Sequence, residues 1–212
     1  MAVGTNQSAL YYSIRNGKVT RYSKTQVDGT TVVPAKDGSP RFYFIYDFIE
    51  GEIESFRTRE EEIAGIKKLF FQITMVDDGE KYIVDLDTDS NYFRAFAMTI
   101  LSGDPDANTR LVPFMREEEG KKKTGLYVIQ HGKPLKYKYT KESPGDMPNI
   151  EITKNKRGDI VDIDSEERNK FLFKELNSWI ASGVAKGQTK LPAQVEDTFS
   201  TTEDFDDGEL PF

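Results

Sequence analysis

Apolar and polar residues alternate with a period of two through most of this chain, in short runs broken by turn-forming pairs. That period predicts half-buried β-strands. Residues 10–24 read as a hairpin, because Asn16-Gly17 is a strong type I′ turn signal between β-forming flanks. Residues 25–40 are rich in Gly, Pro and Asp and predict turns and loop. A strand over 41–49 is then expected, turned by Glu50-Gly51 into a second over 52–58. Residues 60–67 suit a short helix or an irregular crossover. A hairpin over 68–76 and 81–87 closes around Asp77-Asp78-Gly79-Glu80. Further on, 109–116 forms a strand interrupted at Pro113, a residue that argues for an edge or a bulge. Residues 117–123 make a charged turn. Two more hairpins are expected, 124–130 with 133–140 about His131-Gly132, and 150–153 with 159–163.

The period changes to that of a helix in two places. Asp89-Ser90 caps a segment running to Leu101, with Phe93, Phe96, Ala97 and Ile100 on one face and Ser102-Gly103 as its stop. Asp164, with Glu167 three residues on, starts a helix to Ser182 that turns Leu172, Leu176, Trp179 and Ile180 inward and ends at Gly183. Roughly nine or ten short strands with one helix inserted midway predict a mainly β fold. The expected form is an antiparallel barrel like the oligonucleotide-binding (OB) fold, with additional hairpins and a C-terminal helix. Another small barrel or sandwich has the same periodicity.

Composition narrows the chemistry. The chain has no cysteine and one histidine, His131, which removes disulfides, thiolate catalysis and multi-His or thiolate metal sites. No apolar run is long enough to span a bilayer, and the N-terminus lacks the pattern of a signal peptide, so a cytoplasmic protein without a membrane role is expected. Aromatics are dense at 12%, with 14 Phe and 10 Tyr. A β core uses many of these, and so does a surface that stacks on bases.

Charge is segregated. No Lys or Arg follows Lys190, while Glu196, Asp197, Glu203, Asp204, Asp206, Asp207 and Glu209 do. The chain has 29 Lys plus Arg, so these seven acids carry the whole net charge of −7 and leave a neutral body. A domain over 1–190 and a disordered acidic tail over 191–212 are therefore expected. The tail ends in Leu210-Pro211-Phe212. Burying the Phe212 ring on a partner is worth roughly 2–3 kcal/mol, and Pro211 lowers the entropy lost on docking.

This terminus resembles the acidic tip of single-stranded-DNA-binding proteins of bacteria and phages, through Asp206, Asp207, Leu210, Pro211 and Phe212. In those proteins several Asp residues typically precede Ile-Pro-Phe. Here Gly208-Glu209 interrupts the acidic run and Leu210 stands for Ile. The resemblance covers the last ten or so residues, and the longer body points to a phage or mobile-element type. It implies sequence-independent binding and protection of single-stranded DNA in replication, recombination and repair, without enzymatic activity or cofactor. It also implies recruitment of replication and repair proteins through the tip, and a bacterial host cytoplasm for a phage-encoded chain. A homo-oligomer is compatible with it.

Two stretches carry the basic and aromatic residues that grip a single strand. In the first hairpin Tyr11, Tyr12 and Tyr22 interleave with Arg15, Lys18, Arg21 and Lys24. In the second, Lys133, Lys136, Tyr137, Lys138 and Tyr139 alternate, so the two tyrosines are expected on one face and Lys136 and Lys138 on the other. Lys122, within Lys121-Lys122-Lys123, and Arg41 complete the expected nucleic-acid interface. Ordinary solvated strand faces have the same composition. A different class of function would be a metal-dependent nuclease using Asp85, Asp87 or Asp89, although Ser90 and Phe96 break the calcium-loop pattern there. A β-rich adaptor that binds only proteins is a third.

Overall fold

The computed structural model describes residues 9–35, 38–63, 65–118, 120–154, 157 and 160–184. The tail, with Asp206, Asp207, Leu210, Pro211 and Phe212, lies outside the described residues. The fold is mainly β. Its strands are β1 (Leu10–Arg15), β2 (Lys18–Ser23), β3 (Thr31–Pro34), β4 (Pro40–Tyr46), β5 (Ile49–Ile63), β6 (Ile66–Asp77) and β7 (Glu80–Asp87). Helix α1 (Asn91–Ile100) precedes β8 (Thr109–Glu118), β9 (Lys121–Gln130), β10 (Lys133–Pro134), β11 (Glu151–Lys154) and β12 (Ile160–Asp164). Helix α2 (Glu166–Val184) follows.

Ten strands form one open sheet in the order β10-β9-β8-β5-β6-β7-β1-β2-β4-β3, and β11 pairs with β12 apart from it. The expectation of a wholly antiparallel sheet fails at one seam. There β1 runs parallel to β7, with Tyr11 opposite Ile83 and Ser13 opposite Asp85. The sheet also curls. A Cβ placed on Gly17, in the β1–β2 turn, would sit 2.5 Å from the Met115 nitrogen of β8, although β5, β6 and β7 lie between these strands in the sheet. The Gly17 N–H donates to the Tyr92 hydroxyl at 2.8 Å, which ties the same turn to α1. Gly17 has φ +75° and Asn16 φ +45°, the left-handed pair that a type I′ turn requires.

The long β5–β6 hairpin corrects two expectations. Glu50-Gly51 lies inside β5 rather than in a turn, and residues 60–63 continue the strand rather than forming a helix. Gly51 is needed there because a Cβ would meet the Val76 carbonyl oxygen at 2.8 Å. Glu60 to Glu62 favour helix by propensity, yet cross-strand pairing with Leu69, Lys68 and Lys67 of β6 overrides it. Similarly, the charged segment at 117–123 is mostly strand, with Glu117 opposite Lys122 and Glu118 opposite Lys121. Pro113 fits because β5 pairs with β8 only from Thr109 to Leu111, so no β5 partner needs an N–H at that position.

One face of the curled sheet holds the core. Phe71, Ile73, Met75, Val84 and Leu86 pack there against Phe93, Phe96 and Ile100 of α1, with Leu172, Leu176 and Trp179 of α2. The Ser90 side chain accepts from the Phe93 N–H at 3.2 Å and caps α1 as the sequence predicts. Phe173 of α2 lies parallel to Phe71, with centroids 5.5 Å apart, and the Trp179 indole N–H donates to the Gly103 carbonyl at 3.0 Å. Among the described residues no helix is long and apolar enough to cross a membrane.

Candidate nucleic-acid interface

Strand pairing dictates what the other face of the sheet displays, because residues directly opposite one another project to the same side. One row crosses six strands: Arg57, Gln72, Asp85, Ser13, Thr20 and Ile45. Two residues along each strand from the Ser13–Thr20 pair, Tyr11 and Tyr22 project from this same outer face. They are 52% and 38% exposed, and Tyr22 meets the buried Tyr43 edge to face at 5.7 Å. Arg59 and Phe70 form the opposite flank, with the guanidinium 4.9 Å from the ring centroid. The floor between them is buried: Thr20, Gln72 and Thr74, with the apolar Ile83 between Tyr11 and Thr74. The outer face thus offers two exposed phenol rings and one phenyl ring above a mixed floor, with Arg15, Arg41, Arg57 and Arg59 around them.

A hydrogen-bonded chain fixes that floor. Arg57 Nε donates to Gln72 Oε1, and Gln72 Nε2 donates to Asp85 Oδ1 at 2.6 Å. Arg59 bridges Asp85 at 3.3 Å and Glu61 at 2.6 Å. Burial pushes the Asp85 carboxyl above its ordinary value, opposed by the Gln72 hydrogen bond and the Arg59 charge. The folded protein therefore holds this proton to higher pH than the unfolded chain does. The stability from Asp85 is complete below its unfolded pKa and is lost as pH rises through the folded value. Asp85→Asn removes that loss. Its melting temperature relative to the wild type should therefore climb between about pH 3 and pH 7, and a constant difference across that range would contradict the assignment.

The structure separates the residues that the sequence groups together. Tyr11, Arg15, Lys18, Tyr22 and Arg41 share the outer face, and Lys18 pairs with Asp47 at 2.6 Å. Tyr12 and Arg21, at the intervening positions, face the other way. Arg21 lies 4.2 Å over the Phe44 ring, and Tyr12 packs against Tyr46 and Tyr82. Lys122 and Lys133 are exposed on the β8–β9 arm and its continuation.

The second predicted hairpin forms only in part, with β10 paired to β9 across the His131-Gly132 turn and the Leu135 N–H donating to the Val128 carbonyl at 2.8 Å. Pairing with β9 ends there, and Lys136 to Tyr139 run without a strand partner. The Lys136 carbonyl accepts from Ser102 Oγ, and the Lys138 N–H donates to the Met98 carbonyl. The expected split of Lys and Tyr between two faces also fails. Lys138 and Tyr139 both reach Glu175 of α2, at 3.0 and 2.8 Å, which ties this segment to α2. Those bonds hold the Glu175 carboxyl below its ordinary range. Tyr137 alone of this group is a largely exposed ring.

Sequence reasoning missed Phe70 and a second aromatic group on the outer side of β8 and β9. There the Phe114 and Tyr127 centroids are 4.8 Å apart, and Arg116 lies 4.8 Å over Phe114 while donating to the Tyr127 hydroxyl at 2.5 Å. The alternation of Phe114 with Arg116 was the available signal, and Tyr127 joins them from the position that pairs with Val112. The three acids of the nuclease alternative have separate partners. Asp85 serves Gln72 and Arg59, Asp87 faces Lys68 at 3.4 Å, and Asp89 accepts from Ser165 Oγ at 3.4 Å. Among the described residues no group of three or more metal-ligating side chains converges. No protein-family model, curated protein or solved structure matches this chain.

Proposed function

We propose that this chain binds single-stranded DNA without sequence preference, through the outer face of β1, β2, β5, β6 and β7. The observation that carries the reading is the set of rings and guanidinium groups on one sheet face: the exposed Tyr11 and Tyr22 and the half-buried Phe70, among Arg15, Arg41, Arg57 and Arg59. Rings of this kind stack on any base, and the arginines meet the phosphates, so neither demands a sequence. A second support is topological. The order β7-β6-β5-β8-β9, with α1 between β7 and β8, is the one expected of an OB core in which β6 and β7 supply the binding face. On this reading the β1–β2 hairpin, with β3 and β4, widens that face.

The tail supplies the other half of the proposal. Its acids steer Leu210-Pro211-Phe212 to basic surfaces on replication and repair proteins, as the resemblance to single-stranded-DNA-binding proteins implies. The protein acts by coating and recruitment, and DNA incubated with it and Mg²⁺ stays intact. The test is a fluorescence titration with oligo-dT and with duplex DNA of equal length at several salt concentrations. Single strands should bind more tightly, with a log–log salt slope near −0.7 per phosphate neutralised. Equal or tighter duplex binding would overturn the proposal.

A further inference from the structure

The opposite side of the β1–β7 seam carries a separate feature. Tyr12 sits between two other phenol rings, Tyr46 at 5.9 Å and 62° and Tyr82 at 5.8 Å and 88°. With Phe48, these rings line a cleft of about 270 Å³ that also presents Asp77 and Glu50. Arg110 holds Glu50 at 2.6 Å, whereas Asp77 forms no ion pair among the described residues. Burial, then the hydrogen bond to Glu80 and the charges of Glu80 and Asp77, keep the Tyr82 phenol above its ordinary value. The face of an aromatic ring carries negative potential that attracts a cation. Adding a carboxylate at the mouth selects for positive charge and repels phosphate. The Arg110 guanidinium already lies 4.5 Å over the Phe48 ring, whereas the Tyr46 ring remains 37% exposed.

We infer that this cleft binds an organic ammonium ion, caged by Tyr12, Tyr46 and Tyr82 with Asp77 as counter-charge. A tetrahedral ammonium head attracts all the rings at once, as a flat base does not, and its alkyl part replaces water against them. Two sources share this chemistry, a free polyamine and a lysine side chain presented by another protein. The cleft faces away from Tyr11 and Tyr22, so the inference stands independently of DNA binding.

The experiment is calorimetric titration of the full chain with choline, and with its uncharged carbon isostere dimethylbutanol, at matched ionic strength. Choline should bind about tenfold more tightly than the isostere. Asp77→Asn and Tyr46→Leu, both surface changes, should each weaken choline binding roughly fivefold. Their circular dichroism and oligo-dT affinity should stay unchanged. Putrescine and an Nα-blocked lysine amide then separate the sources: tighter lysine binding points to a protein partner, tighter putrescine to a free polyamine. Equal binding of the neutral isostere, absence of saturable heat with choline, or full choline affinity in both variants would overturn the inference.

Discussion

Replacing Tyr11 and Tyr22 together with alanine should lower oligo-dT affinity about a hundredfold or more, since each stacked base contributes roughly 1–3 kcal/mol. Both rings are exposed, so the fold loses little. Tyr137→Ala makes the matched comparison. That ring is 51% exposed but stands off the sheet, beyond the end of β10, and its loss should change affinity only slightly. Oligo-dT titrations of the two variants beside the wild type decide the matter. Wild-type binding by the double variant would move the interface elsewhere, with the Phe114–Tyr127–Arg116 group as the next place to look.

Phe71→Ala should lower the unfolding free energy by about 3–5 kcal/mol. Its ring is buried within about 6 Å of Phe56, Phe93, Phe96 and Phe173, so truncation opens a cavity where β5, β6, α1 and α2 meet. Against a total stability of roughly 5–15 kcal/mol for a typical domain, that is a large fraction. The adjacent Phe70→Ala should behave oppositely. Its ring lies on the outer face under Arg59, so its removal should spare stability and weaken DNA binding. Denaturant melts paired with oligo-dT titrations of both variants test the assignment of faces. A loss of stability in Phe70→Ala as large as that in Phe71→Ala would refute it.

Those two neighbours show what was legible in the sequence. Strong local signals carried their elements: Asn16-Gly17 set the first hairpin, Asp78-Gly79 the β6–β7 turn, and Ser90 the start of α1. The inward residues of α2 followed from the helical period. What failed was decided by distant partners. Glu50-Gly51 looks like a turn, but the strand continues because the Val76 backbone approaches Gly51 too closely for any side chain. Lys136 to Tyr139 alternate like a strand, yet the Lys138 N–H donates to the Met98 carbonyl of α1, and Glu175 captures two of the four side chains. Within the first hairpin the sequence places rings and basic side chains together but does not say which tyrosines turn outward. The parallel β1–β7 pairing assigns Tyr11 to the proposed DNA face and Tyr12 to the cleft.

That parallel seam also shapes the way the protein is made and held. The β1–β2 hairpin can close as soon as it leaves the ribosome, but it must wait for Glu80–Asp87 to be synthesised before it finds its neighbour. Contacts so far apart in sequence form late and slowly. A strand of DNA lying from Arg57 to Tyr22 would span the join and act as a clasp across it, since whatever binds only the assembled state stabilises that state. Occupied protein should accordingly exchange its β1 amide hydrogens more slowly than empty protein, which would couple the proposed grip on DNA to the closing of this seam.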